Sequence, residues 1–278
     1  MGQLGNGPSY IHPNPVMVPD LPDATQIEAS RGRVCAIRRS GVRVCWGHIS
    51  TPDGLSTVSF APREVPPDVG RVAYNPLASR GVKTKQMATD DECGVSKDSR
   101  LFCALYFIGS NRRSFAGLWK APSREKFASA AAMTYYRPGG TACGLTESGR
   151  IKCFAVGEKP AQQEISSSSI DSLTGVVELL AANSVTCARD SPGNVWCWGG
   201  ARDVRDGRLG PAPPVDPFEA VRITHLPPAT QLAVGQSSVC TLAADGHVWC
   251  WGSNREGGVP TGAHGAEETP GEVRFPMD

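Results

Sequence analysis

The chain lacks any apolar run long enough to cross a bilayer, so no transmembrane helix is expected. It also lacks a charge excess of either sign: 28 Lys and Arg stand against 27 Asp and Glu in 278 residues, a formal net charge of +1. That balance argues against a nucleic-acid protein, which normally carries a strong basic excess. The opening "MGQLGNGPSY" has neither the basic nor the apolar region of a signal peptide. The expectation is a chain that stays inside the cell, or a sequence that begins downstream of the true start. Catalytic signatures are missing as well: there is no H-E-x-x-H, G-x-S-x-G or G-x-x-x-x-G-K-[ST]. "GNGPSY" at Gly5 begins like a dinucleotide loop but ends on Tyr10, without a strand-to-helix context. His12, His48, His225, His247 and His264 are scattered with no i, i+4 pair, and read as surface residues rather than ligands. "TGAHGAEET" reads as a flexible loop.

What is present is punctuation and cysteine. Gly (31) and Pro (23) point to many turns and away from long helices. The ten Cys fall at 35, 45, 93, 103, 143, 153, 187, 197, 240 and 250, five pairs each ten positions apart. The pairs recur with a period near 51 residues. Each brackets a turn: "CAIRRSGVRVC", "CGVSKDSRLFC", "CGLTESGRIKC", "CARDSPGNVWC" and "CTLAADGHVWC".

Hairpin geometry accounts for the spacing. A three-residue loop is commonly a type I turn closed by a left-handed residue, usually Gly. With Ala244, Asp245 and Gly246 as the loop, Ala243 pairs with His247 and Cys240 lies opposite Cys250. The same count puts Gly41, Gly149 and Gly193 at the left-handed position, and Ser99 in the second hairpin. Three steps out from the loop the pair is non-hydrogen-bonded, where Cα atoms approach to about 4.5 Å, within disulfide reach. Cross-strand bridges Cys35–Cys45, Cys93–Cys103, Cys143–Cys153, Cys187–Cys197 and Cys240–Cys250 are the sharp reading. Small buried thiols are the bland one, since free Cys is among the most buried residue types. Zinc is disfavoured, because each hairpin offers two thiolates where a structural site takes four ligands. Bridges imply an oxidising compartment, extracytoplasmic or secreted.

Other segments repeat in step. "LPDATQIEAS" from Leu21 matches "LPPATQLAVG" from Leu226, and Ile27, Leu179 and Leu232 each lie eight residues before a first Cys. Short β-favouring runs, "PVMV" at Pro15 and "AVRITHL" at Ala220, precede two of these. One unit then reads as four short strands ending in the Cys hairpin. Units of this kind suit an all-β propeller of about five four-stranded blades, truncated from a larger propeller or unusually small, in a single domain over 1–278. In "VWCWG", Trp196 and Trp198 share one strand face and Val195 and Cys197 the other. Packing between blades is the default role for such Trp, with ligand stacking as the alternative.

"CTLAADGHVWCWGSNREGG" from Cys240, "CWGGARDVRDGRLG" from Cys197 and "GQLGNG" at Gly2 to Gly7 resemble the repeat of the regulator of chromosome condensation family of propellers. The resemblance spans nearly the whole chain, strongly in the first, fourth and fifth units and weakly in the second and third. Units with a Cys pair in each hairpin look most like bacterial, extracytoplasmic members. Family propellers usually have about seven blades against the five counted here. "GQLGNG" normally follows "CWGxN", so the chain starts mid-repeat, and "GEVRFPMD" reads as the first strand of a further unit. The resemblance implies protein partners: small GTPases in the nuclear exchange factor, β-lactamases in a secreted bacterial inhibitor. No cofactor or metal is expected.

The repeat decays after Cys103, where "ALYFIGSNRRSFAGLWKAPSREKF" replaces "WG". This stretch carries Phe107, Arg112, Arg113, Phe115, Trp119, Lys120, Arg124 and Lys126 against the single acid Glu125, and "MTYYRPGG" adds Tyr135, Tyr136 and Arg137. Aromatic residues with Arg are what interface hot spots are made of. The expectation is that Arg112, Arg113, Phe115, Trp119 and Tyr136 line an exposed patch for a protein partner, or for an acidic protein or glycan. Against it stands a divergent blade whose aromatics are core. For function, a non-enzymatic binding scaffold leads. The alternatives are a hydrolase or lyase at the central opening, which needs convergent carboxylates or His, and a guanine-nucleotide-exchange regulator of a small GTPase.

Overall fold

The computed structural model describes residues 18, 20–30, 33–50, 56–65, 84–87, 93–108, 113–133, 140–156, 164–165, 167–182, 185–199, 209, 216–235, 238–253 and 266–273. Within them lie five four-stranded antiparallel sheets, each a meander in chain order. The first holds β1 (Ala24–Ser30), β2 (Arg33–Arg38), β3 (Arg43–Ser50) and β4 (Ser56–Glu64). The second holds β5 (Thr84–Met87), β6 (Cys93–Ser96), β7 (Leu101–Ile108) and β8 (Arg113–Lys120). The third holds β9 (Phe127–Met133), β10 (Gly140–Thr146), β11 (Ile151–Val156) and β12 (Glu164–Ile165). The fourth holds β13 (Val176–Ala182), β14 (Val185–Asp190), β15 (Val195–Gly199) and β16 (Val221–Arg222), and the fifth β17 (Ala229–Val234), β18 (Ser238–Ala243), β19 (Val248–Ser253) and β20 (Ala266–Glu272). One four-residue helix, α1 (Ser168–Asp171), precedes the fourth. The fold is all-β with about five four-stranded blades of propeller type.

All five Cys hairpins close by the same two bonds. Gly246 N–H donates to Ala243 O and Ala243 N–H to His247 O. The same bonds join Arg38, Gly41 and Val42; Ser96, Ser99 and Arg100; Thr146, Gly149 and Arg150; and Asp190, Gly193 and Asn194. This is a type I turn closed by a left-handed residue, and φ is positive at Gly41, Ser99, Gly149, Gly193 and Gly246. The register then faces each first Cys with its second. Five disulfides result, with Cα separations of 4.0 to 4.1 Å. Each closes a short loop, worth about 2–3 kcal/mol in the chain-entropy account.

The matched segments "LPDATQIEAS" and "LPPATQLAVG" share a backbone irregularity. The register of β1 slips between Ala24 and Gln26, and that of β17 between Ala229 and Gln231. The bulged Thr25 donates its hydroxyl to Ile37 O, and Thr230 donates to Leu242 O.

Two expectations about unit boundaries are corrected. "AVRITHL" does not open the fifth unit: Val221 pairs with Cys197, so this run closes the fourth sheet. Gly271 and Glu272 of "GEVRFPMD" are not the start of a further unit either. They pair with Cys250 and Trp249 as the outer strand of the fifth sheet. In both cases the free edge of the CWG strand recruits the next β-favouring run, because an unpaired edge leaves backbone groups without partners. Of "PVMV", only Val18 lies within the described residues.

By packing, the chain divides into two compact units, one holding the first sheet and one, residues 75–273, holding the other four. In the first unit, Ala36, Val44 and Trp46 bury one face beneath Val18, Leu21, Val34 and Val42, while Cys35 and Cys45 bury the other with Val65. Ile27 shares its repeat position with Leu179 and Leu232, which are 2% and 5% exposed, yet Ile27 is 68% exposed.

In the second unit the disulfide faces of the second, third and fourth sheets each pack on the aromatic face of the sheet that follows. Cys143–Cys153, Leu145 and Ile151 meet Trp198, Leu179 and Ala188, with Ile170 of α1 and Leu173 filling the gap. Cys187–Cys197 and Val195 meet Trp251, Leu232 and Val239. Cys93–Cys103 and Leu101 meet Phe154 and Phe127. Trp198 and Trp251 are therefore core residues between sheets, and burying each contributes about 4–6 kcal/mol of transfer free energy. A backbone bond stitches every such boundary: Phe127, Val176 and Ala229 N–H donate to Ser99, Gly149 and Gly193 O.

Candidate binding surface

The second sheet departs most from the repeat, and its outer hairpin positions the candidate residues. Strands β7 and β8 pair from Phe102↔Lys120 to Ile108↔Arg113, with a slip between Leu105 and Tyr106. Trp119 lies opposite Cys103, on the disulfide face. It is 5% exposed and packs with Val95, Leu101, Ala121 and Phe127. Its ring lies 5.7 Å from that of Phe154, tilted by 57°. Trp119 is thus a core residue and not an anchor of an exposed patch, which corrects the expectation for that residue.

The end of the strand accounts for this placement. Ala121 N–H donates to Leu101 O as Val65, Ile223 and Val273 N–H donate to Arg43, Val195 and Val248 O, and all four of these donors are buried. An apolar residue thus follows each of these outer strands facing inward, and in β8 Trp119, two positions before Ala121, shares its face.

Arg112 and Tyr136 lie outside the described residues, as do Tyr135 and Arg137. The backbones of Arg113 and Phe115 lie in β8 opposite Ile108 and Tyr106, and Phe107 lies in β7 opposite Ser114. The face of β8 away from Trp119 carries Leu118, 40% exposed, and Lys120, also exposed. The Lys120 ammonium lies 5.7 Å from the centre of the Phe102 ring, close enough for a cation–π attraction. The connector after β8 adds the exposed Arg124 and Lys126. Arg100 pins this connector by donating to Ser123 O at 2.8 Å.

Acids near these cations are engaged. The Ser96 hydroxyl donates to Asp98 and, with Lys120 and Arg100 nearby, holds that carboxyl below its ordinary range. Glu125 sits 3.9 Å from Lys152, which also pairs with Glu164; the bond to Glu164 pushes the Lys152 ammonium above its ordinary value. Elsewhere, Glu272 accepts from His247 and raises that imidazole's pKa. Among the described residues no group of three or more His, Cys, Asp or Glu is placed to hold a metal ion. No helix among them is long and apolar enough to cross a membrane.

Residues 229–257 match the regulator of chromosome condensation (RCC1) repeat, a span that holds β17, β18 and β19. No curated protein matches the sequence. Among solved structures the chain is similar to Prp20p of Saccharomyces cerevisiae, described with its binding to Gsp1p and histones. Identity is 13% over 90% of this chain and 76% of that one, with a TM-score of 0.45. It is also similar to human WBSCR16, at 17% identity over 99% of this chain and 60% of that one, with a TM-score of 0.38. The CRINKLY ectodomain of the Arabidopsis thaliana receptor kinase ACR4 shares 15% identity over 82% of this chain and 65% of that one, with a TM-score of 0.34.

Proposed function

We propose that this chain of RCC1-like repeats is a non-enzymatic binding scaffold that docks an acidic protein surface on the outer hairpin of the second sheet. The observation that carries the reading is the divided role of β8. Trp119 anchors the strand in the core, while Leu118 and Lys120 face solvent beside Arg124 and Lys126. An apolar contact ringed by cations on a rigid strand is the composition of a docking face, and the cations steer an acidic partner toward it. Arg112, Arg113, Phe115 and Tyr136 belong to the same surface in this reading. The five disulfides favour an oxidising, extracytoplasmic location, where such bonds persist.

The test compares the native chain with a Leu118→Ala, Lys120→Glu, Arg124→Glu variant as bait for proteins of the source organism's extracellular fluid. A partner held by the native chain and lost from the variant, with affinity falling as salt rises, supports the reading. Loss of a hot-spot anchor should weaken binding by about 2 kcal/mol or more. A partner retained equally by both baits overturns the site. Retention of the native chain on immobilised heparin, abolished in the variant, would assign the same face to an acidic glycan instead.

A further inference from the structure

In each of four hairpins the residue before the first Cys pairs with the residue after the second. In the first, third and fifth sheets these pairs are Val34↔Trp46, Ala142↔Phe154 and Val239↔Trp251, an aliphatic side chain beside an aromatic ring. The fourth sheet breaks the pattern, because Thr186 stands opposite Trp198. The two side chains share the aromatic face of the sheet, and both residues are 0% exposed. On its other side Thr186 pairs with Ala181, which is equally buried. Trp198 packs against Cys143, Cys153, Leu145 and Ile151 of the third sheet. The third and fourth sheets belong to the same compact unit. The Thr186 hydroxyl and the Trp198 indole N–H are fully buried, and neither meets a hydrogen-bond partner among the described residues. A bare buried donor carries its whole desolvation penalty, so a position that takes valine elsewhere in the repeat gains nothing from a bare hydroxyl.

We infer that Thr186 and Trp198 hold one buried water molecule at the boundary of the third and fourth sheets. Two donors on facing strand positions require an acceptor. Cβ atoms of such a pair stand about 4.5–5.5 Å apart, so one small molecule can reach both side chains. The water accepts from the indole N–H with one lone pair and from the hydroxyl with the other. Its own hydrogens go to strand carbonyls, each of which keeps a second lone pair beyond its ladder bond. That satisfies the roughly two to four bonds a buried water makes. The occupant is neutral: the neighbours packed on Trp198 are apolar, and an anion among them would lose its hydration with no charge to replace it.

The test is nuclear magnetic resonance on the nitrogen-labelled native chain, with the Trp198 indole assigned through its own backbone. Its N–H should show a cross-peak to water that reverses sign in the rotating frame, as dipolar contact does and proton exchange does not. Thr186→Val restores the residue of the first and fifth sheets. It should abolish that cross-peak and raise the unfolding equilibrium constant about three- to tenfold, the loss of one net hydrogen bond. A native indole N–H without water contact would overturn the inference, as would a cross-peak that persists in Thr186→Val. A Thr186→Val chain more stable than the native one would overturn it too, because the hydroxyl would then have been bare. If that variant does not fold, the native cross-peak decides alone.

Discussion

The fourth and fifth sheets carry nearly the same CWG strand, "GNVWCWGG" and "GHVWCWGS", and present it to different surroundings. Locally they are twins: the same loop, the same left-handed glycine and the same Cys register. On their aromatic faces they remain twins, since Trp198 and Trp251 are both fully buried against the preceding sheet. On their disulfide faces they part. Cys187, Cys197 and Val195 lie sealed under the fifth sheet, and Gly193 O accepts from Ala229 N–H. Cys240 and Val248 are partly buried, and a Cβ placed at Gly246 would meet none of the described residues within 4 Å. A repeated strand therefore fixes its own hairpin, but a neighbour decides what each face is worth.

The largest expected effect tests the faces that are alike. Trp198→Ala and Trp251→Ala should each cost about 3–5 kcal/mol, measured by denaturant unfolding, because each empties a buried inter-sheet site. A gap of more than about 2 kcal/mol between them would break the claimed equivalence.

The glycines test the faces that differ. Both hold positive φ, +92° at Gly193 and +89° at Gly246, so alanine at either costs about 1–2 kcal/mol of left-handed strain. At Gly193 the added Cβ also collides with Ala229 and Pro228 backbone, at 2.7 to 2.9 Å, and must push the boundary apart. Gly193→Ala should destabilise by about 2 kcal/mol more than Gly246→Ala, in the range of overpacked sites. Equal losses would mean that the fourth turn is no more constrained than the fifth.

The smallest effect is electrostatic and belongs to the fifth sheet alone. The residue after the left-handed glycine is Asn194 in the fourth sheet, which donates to Asp190 at 2.9 Å and does not titrate. In the fifth it is the exposed His247, paired with Glu272, which raises its pKa above the ordinary 6.5. A raised folded-state pKa contributes stability that is complete below about 6.5 and is lost as pH rises through the higher folded value. Melting temperature should fall slightly over that window in the native chain and stay flat in His247→Gln. A flat native profile would show that solvent screens the pair entirely.

Legibility followed the same division. The ten-residue Cys spacing yielded loop length, register and all five disulfides, because each depends only on the chain between the two cysteines. The left-handed Ser99 was found by count alone, against its own propensity. The candidate surface was less legible. Trp119 read as an interface residue because it broke the repeat, yet it broke the repeat in order to fill the core beside Phe154. Leu118 and Lys120, its immediate neighbours, hold the exposed face. Composition gathered aromatics and cations in this stretch; only pairing with Cys103 told that Trp119 turned inward.

The sequence by itself determined what is local: strands, three-residue loops, bridges, and the alternation that sets Trp198 opposite Cys197. Tertiary structure decided everything that required a second sheet. It assigned "AVRITHL" to the sheet before it and buried Trp119. The physical reason is range: backbone geometry is fixed within a hairpin, whereas burial belongs to whichever surface arrives from elsewhere in the chain.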